Sequence, residues 1–297
     1  MSVNLYTHQA ANIRKTWFLM TTFLVVVIAL GWLISQVSGN PVILYVAVIF
    51  SVVMNVVSYW YSDKIVVKLA GARLAAREEF FDLYTTVENL AITAGLPLPK
   101  IYVINDQAPN AFATGRDPQH AVVAVTTGLL ALLTHTELEG VLAHELSHIG
   151  NRDMLVSTVA VVLVGFISIL SDIFLRSRLH GFGGGNDRNG RAGATLLVIA
   201  LVAAILAPIG ATLIHLAISR RREYLADASG ALLTRYPEGL ANALTKIGAA
   251  SQPMRRASTA TAHLYIANPF GGGAGLSLAR LFQTHPPIEA RVKALLG

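Results

Sequence analysis

Four apolar stretches constrain this chain more than any other feature. They run from Trp17 to Val37, from Val42 to about Tyr61, from Met154 to Leu175 and from Ala192 to Ile218, and a helix needs roughly 20 such residues to cross a bilayer. Of 297 residues, 54% are hydrophobic and only 13% charged, against about a quarter charged in ordinary soluble domains. A membrane protein fits; disorder, collagen and coiled coil do not. There is no cysteine, so the chain has neither disulfides nor a thiolate nucleophile. Any metal has to be held by imidazole and carboxylate. The net charge of +6 reads as orientation in, and contact with, an anionic membrane, and nucleic acid is set aside as a partner.

The first two stretches flank the uncharged turn Ser38-Gly39-Asn40-Pro41 and form a helical hairpin. A cleaved signal peptide would need a small-residue cleavage site, and a second span follows at once. Trp17 at one end and Tyr59, Trp60 and Tyr61 at the other share one membrane face. Arg14, Lys15, Lys64, Lys68, Arg73 and Arg77 flank that face, which positive-inside bias places in the cytoplasm. The third and fourth stretches enclose the glycine-rich loop around Gly181-Phe182-Gly183-Gly184-Gly185 and make a second hairpin. Arg176, Arg178, Arg188 and Arg191 in its loop and Asp172 in its first arm argue for partial burial in protein. Full crossing, the reading adopted here, gives about four transmembrane helices. Arg220, Arg221 and Arg222 end the fourth span, where such residues snorkel to lipid phosphates. The division is then residues 1–61, an N-terminal transmembrane hairpin; 62–153 with 219–297, one domain of ordinary size; and 154–218, a transmembrane hairpin inserted into it.

Within the water-exposed part, spacing predicts a helix from Glu78 to Ala94 ending at Gly95, and a strand from Ile101 to Ile104. Ala111 to Thr114 and His120 to Thr126 flank the turn Gly115-Arg116-Asp117-Pro118 as a β-hairpin. Thr136 with Glu139 reads as a capping box opening a helix through His148, and a last helix covers Ile288 to Leu296.

That central helix carries Ala143-His144-Glu145-Leu146-Ser147-His148, an H-E-x-x-H pattern. Residues four apart share a helix face, so the two imidazoles can bind one Zn²⁺ while Glu145 reaches a water beside it. A catalytic zinc takes a third protein ligand. Glu223, just past the fourth stretch, is brought to the same level by the hairpin, and Asp227 lies four residues further on.

H-E-x-x-H followed at a distance by E-x-x-x-D resembles the gluzincin metallopeptidases. The membrane layout resembles their HtpX family of bacterial membrane proteases, which is related to the CAAX prenyl endopeptidases. The likeness extends over nearly the whole chain, through Asn110-Ala111-Phe112-Ala113-Thr114-Gly115 and Thr284-His285-Pro286-Pro287 with Arg291. It implies an α-helical membrane protein bearing an α+β zincin-like catalytic domain, and a single zinc on His144, His148 and Glu223 with Glu145 as catalytic base. Asp227 is expected to accept a hydrogen bond from His144. Asn110, Ala111, Phe112 and Ala113 are expected to form the edge strand on which substrate lies extended. His285 is expected to act catalytically at the oxyanion, with Arg291 supporting it. The implied role is cleavage of damaged or misassembled proteins, without ATP, on the cytoplasmic side of a bacterial inner membrane. The implied partners are unfolded substrates and the bilayer, with a homo-oligomer left open. Two readings stand beside it: a dedicated processing peptidase for modified peptides, and a non-catalytic zinc-binding membrane scaffold. An intact Glu145, which a structural site does not need, speaks against the second.

Overall fold

The computed structural model describes residues 5–180, 220–250, 252–258, 260–271 and 286–297. The glycine-rich loop, the fourth apolar stretch and His285 lie outside the described residues.

Two helices, α1 (Leu5–Ser38) and α2 (Val42–Trp60), form the first hairpin about Gly39, whose φ of +65° suits glycine. Their contact is close enough that a Cβ on Gly31 would collide with the Cβ of Ala47, the small-residue packing that lets helices approach in lipid. On α2 the usual burial is inverted. Ser51, Asn55 and Ser58 are buried, while Val42, Tyr45, Val46, Ile49, Val52, Val53 and Val56 are exposed. The buried polar groups bond to carbonyls one turn back on their own helix. Such a face is stable against hydrocarbon and not against water. Trp17 and Tyr59 stack at 6.3 Å between ring centroids, so the hairpin's two aromatic ends meet at one level.

The chain then forms α3 (Ser62–Ala70), β1 (Ala72–Leu74), α4 (Phe81–Ala94), β2 (Lys100–Ile104), β3 (Ala111–Thr114), a 3₁₀ turn at Pro118–His120 and β4 (Val122–Thr126). Helix α4 starts three residues later than the spacing predicts. Residues 76–80 instead form a turn, from which Glu79 reaches back to Arg73 at 2.8 Å. The sheet order is β1-β2-β4-β3, with β2 and β4 parallel and both outer strands antiparallel to their neighbours. The strands alternate between two cores. Phe112, Ala124 and Ile104 face a cluster with α1, α3 and the later helix that starts at Asp153, whereas Ala111, Ala113, Val123, Val125 and Val103 face α4 and the zinc-motif helix. This explains why all five residues of β4 are buried: a sheet covered on both faces reads as a continuous apolar run.

After α5 (Thr127–Leu132) comes α6 (His135–Gly150). Its capping box is Thr134 with Glu137, two residues earlier than the expected Thr136 with Glu139. Both pairs satisfy the spacing, but only Glu137 is also held from outside, by Lys246 at 2.8 Å. The chain bends by 84° into α7 (Asp153–His180), passing Arg152 at a φ of 55°. Over residues 154–164 α7 is buried nearly all round, against α1, α3 and the sheet, so its opening turns lie in protein and not in lipid. Among the described residues two helices are long and apolar enough to cross a membrane, or three if the bent α6–α7 pair is taken as one span. The expected count of four rests on the stretch outside the described residues.

Among the described residues the remaining elements are α8 (Arg220–Thr234), α9 (Pro237–Ala250), a 3₁₀ turn at Ala262–Leu264 and α10 (Ile288–Leu296). Helix α9 crosses α6 at Gly140, where a Cβ would lie 2.6 Å from the backbone nitrogen of Leu240. Helix propensity alone would make Gly140→Ala stabilising by up to about 1 kcal/mol. The backbone contact reverses the sign, with an expected cost of about 1–3 kcal/mol from overpacking. A lowered midpoint in thermal unfolding of the detergent-solubilised chain is the expected result, and a raised one would show that the crossing relaxes freely.

Candidate metalloprotease centre

The centre is built where α6 and α8 pack together. Gly230 of α8 lies against the backbone of His144, with a Cβ position only 3.0 Å from its nitrogen, so the absence of a side chain there brings Glu223 and Asp227 within reach of α6. Nε2 of His144 and Nε2 of His148 are 3.2 Å apart. Oε2 of Glu223 is 3.8 Å from the first and Oε1 is 3.7 Å from the second. The three ligand atoms lie within 4.8 Å of one another. Tetrahedral zinc with bonds of about 2.0–2.1 Å separates its ligands by about 3.3 Å, so the donor set, two imidazoles and one carboxylate, suits such an ion in both spacing and chemistry.

The surroundings prepare these donors. Asp227 Oδ1 is 2.9 Å from Nδ1 of His144. A carboxylate only accepts, so that nitrogen carries the proton and Nε2 presents its lone pair to the cluster. Burial lowers His144 to a pKa of about 4 against the opposing pull of Asp227, which keeps it neutral. Burial would raise Asp227, but hydrogen bonds from Arg291 and His144 outweigh it and hold the acid at about 2. Burial likewise opposes charge on His148, yet Asp153, Glu223 and Glu145 together raise it to about 9. The same acidic environment favours a divalent cation, which would take the place of the proton.

Glu145 is 2% exposed. Burial raises its carboxyl to about 7, with the charge of Glu223 adding to the effect and His148, Arg291 and a backbone hydrogen bond from Ala113 working against it. A carboxyl so placed can take up and release a proton near neutral pH.

β3 is one of the two outer strands of the sheet. Asn110 and Thr126 bond across to β4 through Thr126 N–H and the Asn110 carbonyl at 3.0 Å. The alternation of an antiparallel ladder therefore turns the backbone groups of Ala111 and Ala113 outward. Half of that edge is already taken. The Ile266 N–H donates to the Ala111 carbonyl at 3.0 Å, and the Asn110 side chain clamps Ala267 by donating to its carbonyl at 3.0 Å and accepting from its N–H at 3.2 Å. Phe112 is buried beneath Tyr265, ring centroids 5.2 Å apart. Of the four edge residues, Ala113 is the one whose backbone meets Glu145.

Arg291 lies inside the protein, fully buried, and its guanidinium binds Asp227 in fork geometry, Nε to Oδ2 at 2.9 Å and a terminal nitrogen to Oδ1 at 2.6 Å. It stands behind His144, 3.4 Å from Nδ1. Of the three arginines expected to snorkel, Arg220 and Arg221 are exposed, but Arg222 is buried with Nε 4.0 Å from Asp153. An inward acid provides a better partner there than lipid phosphate. Sequence reasoning missed Asp153. An acid in the first turn of a helix is expected for the dipole alone, and only the 84° bend carries it back towards His148.

The sequence profile of Peptidase family M48 matches residues 77–297. A protease HtpX homolog of Caldanaerobacter subterraneus subsp. tengcongensis is 49% identical over 98% of this chain and 97% of its own length. One of Tropheryma whipplei is 44% identical over 98% and 97%. The crystal structure of S. mikatae Ste24p has the same fold at a TM-score of 0.50 and 18% identity, covering 98% of this chain and 67% of that one. With this coverage joined to a buried H-E-x-x-H helix and a nearby glutamate, the chain belongs to peptidase family M48 and is a membrane metalloprotease of the HtpX type.

Proposed function

We propose that this protein is a zinc endopeptidase that cleaves damaged or misassembled membrane proteins, without ATP, at the cytoplasmic face of a bacterial inner membrane. The observation that carries the reading is the convergence of His144, His148 and Glu223 beside a buried Glu145. Residues 62–153 and 219–297 form the peptidase unit, and the hairpins at 1–61 and 154–218 hold it at the bilayer. The basic residues Arg14, Lys15, Lys64, Lys68, Arg73 and Arg77 support the cytoplasmic orientation.

His144, His148 and Glu223 would hold the ion, which when bound would supply Lewis acidity towards the scissile carbonyl and a water. Glu145 takes the proton from the attacking water and returns it to the departing amine, a two-way transfer suited to a group near pKa 7. Asp227 fixes the tautomer of His144, and Arg291 keeps Asp227 ionised. Ala113 offers its outward carbonyl to an extended substrate, which gives affinity with little sequence reading. The likeness of Thr284-His285-Pro286-Pro287 to the family supports a role for His285 as oxyanion donor.

Unfolded casein and the detergent-solubilised chain test the reading. Cleavage is expected to stop when a chelator strips the metal and to return with one equivalent of Zn²⁺ per chain. Cleavage indifferent to stripping would end the metal mechanism, and absence of cleavage by the zinc-loaded chain would favour a dedicated processing peptidase. His148→Ala is expected to lose both metal and activity.

A further inference from the structure

Asp227 accounts for one imidazole of the pair, and the other has a carboxylate of its own. With Nε2 of His148 turned to the cluster, Nδ1 faces the protein, where Oδ2 of Asp153 lies 3.4 Å away. Asp153 is buried, and its second oxygen is occupied too: Oδ1 accepts from Nδ2 of Asn12 at 2.6 Å, with Nε of Arg222 at 4.0 Å. Asn12 is also buried, near the start of the first apolar helix. Facing a carboxylate, an amide has to present its NH₂ group, because its oxygen would only repel. The two imidazoles are therefore supported in parallel fashion. Each has a buried carboxylate at Nδ1, and each carboxylate is held by a donor from a different helix, Arg291 of α10 for Asp227 and Asn12 of α1 for Asp153.

We propose that Asp153 is the positioning residue for His148 and that Asn12 holds Asp153 in place, making the first membrane helix part of the scaffold of the metal centre. The proposal rests on the reading of His148 as a metal ligand. An Nδ1–H donated to a carboxylate fixes the ring's orientation and makes Nε2 a stronger donor, and loss of such a partner commonly weakens metal binding by about 10–100-fold. The 84° bend between α6 and α7 is what makes this possible. On a continuous helix, residues five apart would diverge around the cylinder.

The test uses the full-length chain in detergent, with Zn²⁺ affinity measured by competition with a chromophoric chelator and the absorption spectrum of bound Co²⁺ as a second readout. Asp153→Ala is expected to weaken Zn²⁺ by about 10–100-fold, and Asn12→Ala to act in the same direction by about 3–10-fold. Both are expected to alter the Co²⁺ bands, because the imidazole no longer holds one orientation. Asp153→Asn, whose carbonyl still accepts from Nδ1, is expected to recover much of the affinity lost in the alanine variant. The double variant should bind no more weakly than Asp153→Ala alone, since Asn12 acts only through Asp153. Affinities within about twofold of the parent for both alanine variants, with His148→Ala losing metal, would overturn the proposal and leave the ligand reading intact. A His148→Ala chain that binds like the parent would overturn the ligand reading, and this inference with it. Should Asp153→Ala not fold, Asn12→Ala decides, and an unchanged affinity and spectrum in that variant overturns the link.

Discussion

Glu145→Gln is expected to lower casein cleavage by about 10²–10⁴-fold, the usual contribution of a positioned acid–base group, while metal content stays at one ion per chain. The substitution preserves shape, and the amide oxygen can still accept from the Ala113 N–H that meets the native carboxylate. Neither the cluster of His144, His148 and Glu223 nor the apolar packing of α6 depends on the Glu145 charge. What disappears is the exchangeable proton. Burial has raised this carboxyl to about 7, so the native group can act both as base towards water and as acid towards the leaving amine; an amide can do neither. Metal content by elemental analysis and cleavage rate are to be measured on the same preparation. Normal turnover in the glutamine variant would falsify the assignment, and loss of metal would show that Glu145 supports the ligands structurally.

Arg291→Ala is expected to have the largest effect on stability. The guanidinium is fully buried and forked onto Asp227, itself 2% exposed. Removing one member of a buried pair leaves the other charge uncompensated, at a cost of about 3–5 kcal/mol. Arg291→Lys should recover only part of this, because an ammonium cannot match the two parallel bonds. Function should suffer as well: an Asp227 without its arginine fork is no longer held in one orientation towards His144 Nδ1–H, and metal affinity should fall by about 10–100-fold. The pH dependence has a definite sign. Asp227 sits at about 2 in the folded protein, below the ordinary value of about 3.9, so its stabilisation is fully present above about pH 4 and is lost as pH falls towards 2. In Arg291→Ala, burial without the arginine raises the folded-state pKa of Asp227, so this loss between about pH 4 and 2 should shrink. Thermal unfolding in detergent across that range measures both effects, and an alanine variant as stable as the parent at neutral pH would refute the view that this pair anchors α10.

Much of this was legible in the residues because it is local or periodic. H-E-x-x-H places two imidazoles on one helix face wherever that helix packs. The last helix keeps its expected bounds, Ile288–Leu296, and the hairpin at Gly115 is present because a turn and two flanking strands are encoded within sixteen consecutive residues, Ala111 to Thr126. The pairing of His148 with Glu223 was legible for a different reason: the two long apolar stretches between them, read as a hairpin, imply that the chain comes back to its starting level. Harder to see were the choices between equivalent local signals. Thr134–Glu137 and Thr136–Glu139 have the same spacing, and Lys246, over a hundred residues later, supports the first.

The sequence by itself determined the membrane setting, the helix bearing the metal motif and the residue types able to hold a metal, because hydrophobic length and helical period are properties of short segments. The tertiary structure alone decided which side chains support those donors. Arg291 turns inward to Asp227, Arg222 to Asp153 and Asn12 to the same acid, while Ile266 and Ala267 occupy the near half of the edge strand. Each of these contacts joins segments far apart in the chain, brought together by the 84° bend and the packing of glycine against backbone. The physical reason is that a buried charge takes whatever partner the fold carries to it, and spacing along the chain does not say which partner that will be.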